Sequence, residues 1–408
     1  MIARLAWRSI WRSKRRTMIT MASIGLGLAI AIFFLAVSEG VHDQMVNDAV
    51  RMQAGHITLE NPGYEAAPSV DLHLGGVEEL RRRIGEIGAV EETKLLIQGQ
   101  GTASSAAGGR GVSIMGVEPS VEARTSPLAR DIVLGSCLAD DDDRKVIVGS
   151  RLADQLKLDL GSKVVLAAAN AQGDFVEELC RVKGVFHTGS DETDAYLIQV
   201  PLKFARRVFG LGPDEATQLG VVLNRPRDLE QVEAKIKAWT SGKAIAVLSW
   251  REVLTELSSY VRVKTISNWV FQGLLFVIIL FTILNTLLMS VMEREREFAV
   301  LLALGTSPWQ LEAQLFMESV YIGCLGALGG ILLGGAFALA MQVRGLDMAS
   351  LLPRGVAISG FAMSTTVHAR LTLPILCWTA GFVLFSTLFL TLAPIRRVRR
   401  VRLAQTLR

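Results

Sequence analysis

The sequence predicts a helical membrane protein with four transmembrane helices and a large extracytoplasmic mixed α/β domain, and three observations lead there. Half of the 408 residues are apolar and 20% are charged, for a mean hydropathy of +0.37, which excludes a disordered chain and is high for a soluble domain. The apolar residues gather into four uncharged runs, Thr17–Ser38, Thr265–Met292, Ser319–Val343 and Leu371–Ile395, of 22, 28, 25 and 25 residues. At ~1.5 Å per residue, about 20 residues cross a hydrocarbon core ~30 Å thick. Finally, the stretches before Thr17 and after Ile395 are rich in arginine and hold no acid.

Those basic ends place both termini in the cytoplasm. Val41–Ile266, with 26 basic and 32 acidic residues, then lies outside, and the overall charge of +4 averages two unlike compartments. The expected division is a basic interfacial helix over 1–16, spans over 17–38, 265–292, 313–343 and 371–395, and an extracytoplasmic domain over 41–264. A cytoplasmic loop over 293–312, an external loop over 344–370 and a basic tail over 396–408 complete it. The first run exceeds the ~7–15 residues of a signal-peptide core, so it reads as an uncleaved anchor. Trp7 and Trp11, four apart among arginines, suit one face of an interfacial helix or an ordinary aromatic belt.

Within the external domain, strands are expected at His56–Glu60, Lys94–Gln98, Gly111–Val117, Lys145–Val148, Lys163–Ala167, Val182–Phe186, Ala195–Val200, Gln218–Leu223 and Ala244–Leu248. Helices are expected at Val77–Ile87, Ser150–Leu156, Pro201–Phe209, Asp228–Thr240 and Trp250–Val263, with Ser150 as an N-cap. Gly101–Gly111 reads as a mobile loop and Asp140–Asp143 as a solvated turn. Cys137 and Cys180 lie where a disulfide is permitted, and their spacing leaves the pairing open. The histidines show no metal-site spacing, no phosphate-binding Gly-rich loop is present, and no His is paired to a nucleophile, so neither metal chemistry nor nucleotide hydrolysis is expected of this chain.

The loop between the second and third spans carries the sharpest signal. Gly305 suits the left-handed position that ends a helix, and Ser307-Pro308-Trp309-Gln310 supplies an N-cap, Pro at N1 and Gln at N3 of the next. The short helix so bounded sets Phe298, Leu301 and Leu302 beside charge, as a seat for a partner or as a connector lying on lipid.

This loop resembles the coupling helix of FtsX/MacB-type (type VII) ABC transporter permeases, R-E-x-x-x-L-x-A-L-G, at Arg296, Glu297, Leu301, Ala303, Leu304 and Gly305. Arg15-Arg16-Thr17, Glu318 before a glycine-rich span, and Pro394 with Ala404, Leu407 and Arg408 are similar to further family motifs. Val148-Gly149-Ser150-Arg151-Leu152-Ala153, Leu160-Gly161-Ser162-Lys163-Val164, Gly184-Val185-Phe186-His187-Thr188-Gly189 and Asp194 look most like the lipoprotein-releasing LolC/LolE permeases. The resemblance implies a MacB-like periplasmic core domain and a bacterial inner-membrane location with that domain in the periplasm. It implies an ATPase on a separate subunit holding ATP and Mg, coupled through Arg296–Gly305 with Phe298 and Leu302. A second permease copy or paralogue, membrane lipid, and a lipoprotein substrate or periplasmic carrier are the other implied partners; nucleic acid is not among them. Where LolC carries a chaperone-recruiting hook, only Ala168–Glu178 is available, without proline, which favours a LolE-like or homodimeric role.

Mechanistically, Trp250–Met292 reads as one nearly continuous helix whose outer part, from about 250, forms a stalk, so that force travels along it from the coupling loop to the external domain. Gly326, Gly330 and Gly334 recur every four residues and offer a small-residue packing face, toward the second or fourth span or a dimer partner. Family analogy puts a lateral opening for acyl chains between Ile32, Phe33, Phe34 and Val37 of one subunit and Trp269, Val270 and Phe271 of its neighbour. Glu318 suits an interfacial cap or ion pair. Three functions follow: extraction of lipoproteins or other amphiphiles from the outer leaflet, MacB-like efflux of periplasmic substrates, and FtsX-like activation of an envelope hydrolase.

Overall fold

The computed structural model describes residues 2–12, 14–293, 295–347, 357–358, 361–362 and 366–398. In chain order the elements begin α1 (Ile2–Arg12), α2 (Lys14–Met52), β1 (Ile57–Glu60), β2 (Leu74–Gly75), α3 (Val77–Gly85), β3 (Val90–Ser105), β4 (Gly108–Val117) and α4 (Pro119–Thr125). There follow β5 (Ile132–Gly135), β6 (Lys145–Gly149), α5 (Ser150–Leu156), β7 (Lys163–Ala169), β8 (Phe175–Phe186), α6 (Asp191–Tyr196), β9 (Leu197–Pro201) and α7 (Leu202–Phe209). The external part ends with β10 (Glu215–Ala216), β11 (Gln218–Leu223), α8 (Leu229–Thr240), β12 (Ala246–Ser249) and α9 (Trp250–Val253). Then come α10 (Thr255–Glu293), α11 (Glu295–Ala303), α12 (Pro308–Arg344), the short strands β13 (Leu346–Asp347), β14 (Ala357–Ile358), β15 (Phe361–Ala362) and β16 (Thr366–Val367), and α13 (Leu373–Val398). Two compact units result: Met1–Asp43, Val263–Met348 and Thr366–Arg408 form one, and Gln44–Arg262 with Ala349–Thr365 the other.

The first unit is a helical bundle. Among the described residues, four helices are long and apolar enough to cross a membrane, at Thr17–Met52, Thr255–Asn285, Pro308–Arg344 and Leu373–Thr391. Its core joins Ile24, Leu28, Ala31 and Ile32 of α2 to Phe276, Ile279 and Ile283 of α10, Ala327 of α12, and Ala380 and Val383 of α13. Phe276 stacks on Phe382 at 3.8 Å between ring centroids. α1 is amphipathic: it buries Ala6 and Ile10, and Trp7 meets Tyr321 of α12 edge-on at 5.4 Å. The Thr17 hydroxyl donates to the Ile10 carbonyl at 2.8 Å, fixing the turn from α1 into α2.

The second unit is built on a ten-stranded sheet in the order β12-β1-β11-β3-β4-β9-β6-β8-β5, with β7 pairing both β3 and β8. The strands β3, β4, β9, β6, β8 and β7 therefore pair in a closed circuit, which leaves no free edge along it. Most pairs are antiparallel, while β4–β9 and β6–β8 are parallel. The larger apolar core runs from Ile57 and Leu59 of β1 through Ile97, Ile114, Val148 and Ile198 to Phe204, Val208 and Phe209 of α7, and a second cluster gathers Leu96, Met115, Ile147 and Phe186. Buried Lys94 pairs with buried Glu122 at 2.7 Å and also donates to the Arg51 carbonyl at 2.9 Å, so one lysine joins β3 to α4 and ties both to the end of α2.

Several expectations need correction. Gly101–Gly111 is not a loop: Gly101 pairs with Val112 and Ser105 with Gly108 in a continuous β3–β4 hairpin, because backbone ladder bonds and the β7 pairing outweigh the weak strand propensity of Gly and Ser. Asp140–Asp143 is not wholly solvated, since buried Asp142 holds Lys183 at 2.5 Å and Lys145 at 2.8 Å. Ser150 is the first helical residue and Gly149 the N-cap. Residues 195–196 end α6 instead of opening a strand. The helix expected over Trp250–Met292 breaks at Leu254, whose φ of −100° and ψ of 64° lie outside the helical region.

Candidate functional site

The loop after the second span folds as its sequence dictates. α11 covers Glu295–Ala303, and Gly305 takes φ +92°, a conformation that costs a residue with a Cβ atom dearly. Ser307 and Gln310 form a reciprocal capping box with Pro308 in the first turn of α12. The Ser307 hydroxyl accepts from the Gln310 amide, and the Ser307 amide donates to Gln310 Oε1 at 3.2 Å.

The faces of this helix differ from a simple apolar seat. Leu301 and Leu302 pack back against Leu311 and Leu315 of α12. What points outward is Arg296, Glu297, Val300, Ala303 and Gly305, with Leu304 77% and Trp309 71% exposed. Phe298, at a variable position of the motif, falls within α11. Nothing in the sequence distinguishes Leu301 from Leu304; which one faces out depends on how α12 folds back. Trp309, outside the motif, is the residue that motif reading missed.

Of the residues proposed for a lateral opening, Ile32 is fully buried in the bundle core, on the α2 row of Ile24 and Leu28, which meets the glycines of α12. Val37 packs with Ala36, Ala338 and Val367. Phe33, Phe34, Trp269, Val270 and Phe271 are exposed. Phe34 and Phe271 approach to 6.4 Å within one chain, and Asn268 Nδ2 donates to the Ser38 hydroxyl at 2.8 Å nearby, so the first and second spans of the same chain meet along this line. The glycine face packs within the chain, against the first span and not the second or fourth. A Cβ atom at Gly326 would sit 2.9 Å from Ile24, at Gly330 2.7 Å from the Gly25 carbonyl, and at Gly334 2.7 Å from the Ala29 carbonyl. Glu318 is buried and accepts from Gln314 Nε2 at 3.2 Å.

The external domain does set a histidine beside a serine, contrary to expectation. Fully buried Asp194 accepts from the Thr188 amide and hydroxyl at 3.0 and 2.7 Å, meets His187 Nδ1 at 2.7 Å, and accepts from the Ser150 hydroxyl at 3.0 Å. The Ser150 hydroxyl lies 3.1 Å from the same His187 Nδ1. A hydrolytic relay needs the serine and the carboxylate on opposite ring nitrogens, so this cluster is a staple that holds α5, the end of β8 and α6 together. Cys137 and Cys180 are separate thiols, and burial pushes the Cys180 thiol up to about 12.

Comparison with known proteins agrees with this architecture. The MacB-like periplasmic core domain matches residues 17–239 and the FtsX-like permease C-terminal domain residues 269–403. The lipoprotein-releasing system transmembrane protein LolC of Xylella fastidiosa is 23% identical, over 97% of this chain and 96% of that one. The macrolide export ATP-binding/permease protein MacB of Hyphomonas neptunium is 23% identical over 85% of this chain, which spans 54% of its length. The crystal structure of the periplasmic region of MacB from Actinobacillus actinomycetemcomitans superimposes over 52% of this chain and 97% of its own, with 11% identity and a TM-score of 0.37. With a MacB-like periplasmic core domain over more than half of its length and an FtsX-like carboxy-terminal third, this chain belongs to the MacB-like periplasmic core domain family, as an ABC transporter permease of the LolC and MacB type.

Proposed function

We propose that the chain is the membrane subunit of a bacterial inner-membrane machine in which a separate ATPase subunit, holding ATP and Mg, docks on α11 and the start of α12 and drives movement of the extracytoplasmic domain. In this reading both termini are cytoplasmic, the chain pairs with a second copy or a paralogue, and the work done is extraction of lipoproteins or other lipidated amphiphiles from the outer leaflet. The observation that carries it is the outward face of Arg296, Glu297, Leu304 and Trp309 on a rigidly capped helix turn. Exposed large apolar side chains rimmed by charge are what a protein partner buries. The LolC relative is named for lipoprotein release and matches nearly end to end, which favours that substrate over the efflux suggested by the MacB name.

The test is copurification of a coexpressed candidate ABC ATPase subunit with the Leu304→Asp and Trp309→Ala variants of the full chain. Losing an interface anchor costs about 2 kcal/mol or more, so binding should weaken at least ~30-fold. Leu301→Asp should instead lower the yield of folded chain, because it places a charge against Leu311 and Leu315. Wild-type copurification by both outward variants would reject the docking site. Release of a fluorescent lipoprotein from vesicles, measured with the intact complex, tests the substrate.

A further inference from the structure

The extracytoplasmic unit contains a pocket of about 240 Å³ lined by Gln53, Glu60, Tyr64, Glu65, Gln98 and Gln218, among others, with Val253 and Leu254 along one side. Gln53 directly follows α2, and Leu254 is the break between α9 and α10. The cavity is thus set where both long helices join the sheet. Its chemistry is one-sided. Glu60 is 1% exposed and accepts from Gln218 Nε2 at 2.8 Å, with Glu65 as a second carboxylate, and no Lys, Arg or His is among the lining residues. Burial, opposed by the Gln218 hydrogen bond and reinforced by Glu65, raises the pKa of Glu60.

The amides add to this bias. Gln218 directs one N–H to Glu60, and Gln98 directs one N–H to the Ser113 hydroxyl at 3.3 Å, which orients each amide and leaves its oxygen able to accept. The Tyr64 hydroxyl is already donating to the Gln98 carbonyl at 3.0 Å. A buried carboxylate beside a second carboxylate takes up a proton unless a cation neutralises it, and a bound cation would hold Glu60 ionised. Glutamine amides can turn either end to a guest, but the two carboxylates can only accept while ionised and no basic side chain offsets them, so the lining favours a cationic group with N–H donors. The volume falls below the ~300–1,000 Å³ of pockets that enclose a drug-sized molecule, which suits a single extended side chain.

We propose that this pocket binds an alkylammonium group, such as a lysine side chain presented by a polypeptide, between Glu60 and Glu65, against the helix break at Leu254. This site is independent of the ATPase-docking surface, and its test does not depend on it.

The experiment titrates the full-length chain in lipid nanodiscs with N-acetyl-lysine amide by calorimetry, and with N-acetyl-norleucine amide as the uncharged counterpart of similar length. Saturable binding of the lysine derivative alone is expected, weakened at least tenfold in Glu60→Gln and in Glu65→Gln. Glu65 is exposed, so its variant keeps the fold and decides the matter even where Glu60→Gln is unstable. No binding, equal binding of the norleucine derivative, or undiminished binding by Glu65→Gln would each overturn the proposal.

Discussion

Arg12, the last residue of α1, is ion-paired with Glu297 on α11, so the amino-terminal helix reaches the second residue of the Arg-Glu motif. α1 is itself held on α12 by buried Ala6 and Ile10 and by the Trp7–Tyr321 ring contact. The guanidinium is therefore presented from an anchored base. Both side chains are well exposed, 69% and 44%, and an exposed pair contributes no more than about 1 kcal/mol. Its value lies in orienting α11, and solvent ions will screen it.

Reversing one charge should show this. Glu297→Arg should impair ATPase coupling, while the Arg12→Glu/Glu297→Arg double variant should recover a substantial part of it if pairing is what matters. ATP turnover of the reconstituted complex at low and high salt is the measurement. No recovery in the double variant would mean that Glu297 acts on the partner and not on Arg12.

The contact between α12 and α2 depends on the absence of side chains at three positions. Gly330→Leu must displace the Gly25 carbonyl and the Leu28 side chain, and overpacking of this kind costs about 1–3 kcal/mol. Gly329, with nothing within 4 Å of a Cβ atom, is the control. Thermal melting in detergent should fall for Gly330→Leu and stay near wild type for Gly329→Ala; equal melting would place the helix contact elsewhere.

A pH dependence is built into the external unit at Asp131. Burial, with help from Asp48 and Asp194 and against His187 and Arg130, raises its carboxyl to about 6. The folded state then holds a proton that the unfolded chain, titrating near 3.8, has already released. Stability from this group is present at low pH and declines as pH rises from about 4 through about 6. Asp131→Asn should raise the melting temperature at pH 7.5 and flatten its change across that interval. An unchanged slope would remove Asp131 as the cause.

What the sequence made legible was whatever depends on local chemistry. Long uncharged runs became long helices, Gly305 and Ser307-Pro308-Trp309-Gln310 became a stop and a start, and Ser150–Leu156 became a helix with those bounds. Pairing partners in space were not legible. Gly101–Gly111 has loop-like composition, yet β4 and β7 on either side make it strand. Ser150 and His187 are 37 positions apart and meet only because β6 and β8 run parallel. The burial of Ile32 and the inward turn of Leu301 depend on which helix packs beside them, information that no single helix contains.

The break at Leu254 sharpens the mechanical proposal. Below it α10 runs unbroken from Thr255 to Glu293 over 39 residues, on the order of 58 Å at ~1.5 Å per residue, nearly twice the ~30 Å membrane core. If this helix carries force from α11 to the external domain, inserting two glycines after Val263 should uncouple the ends, because glycine weakens helical continuity and adds backbone freedom. The ATPase should still bind, since Leu304 and Trp309 lie some 40 residues further along the chain, and ATP turnover should persist. Substrate release should fall to background in the same vesicles. Two alanines at the same place preserve the helix while rotating one end by about 200°, and partial release by that variant would separate loss of stiffness from loss of register. Loss of turnover together with release would mean a misfolded chain, and full release by the glycine variant would show that α10 does not work as a lever.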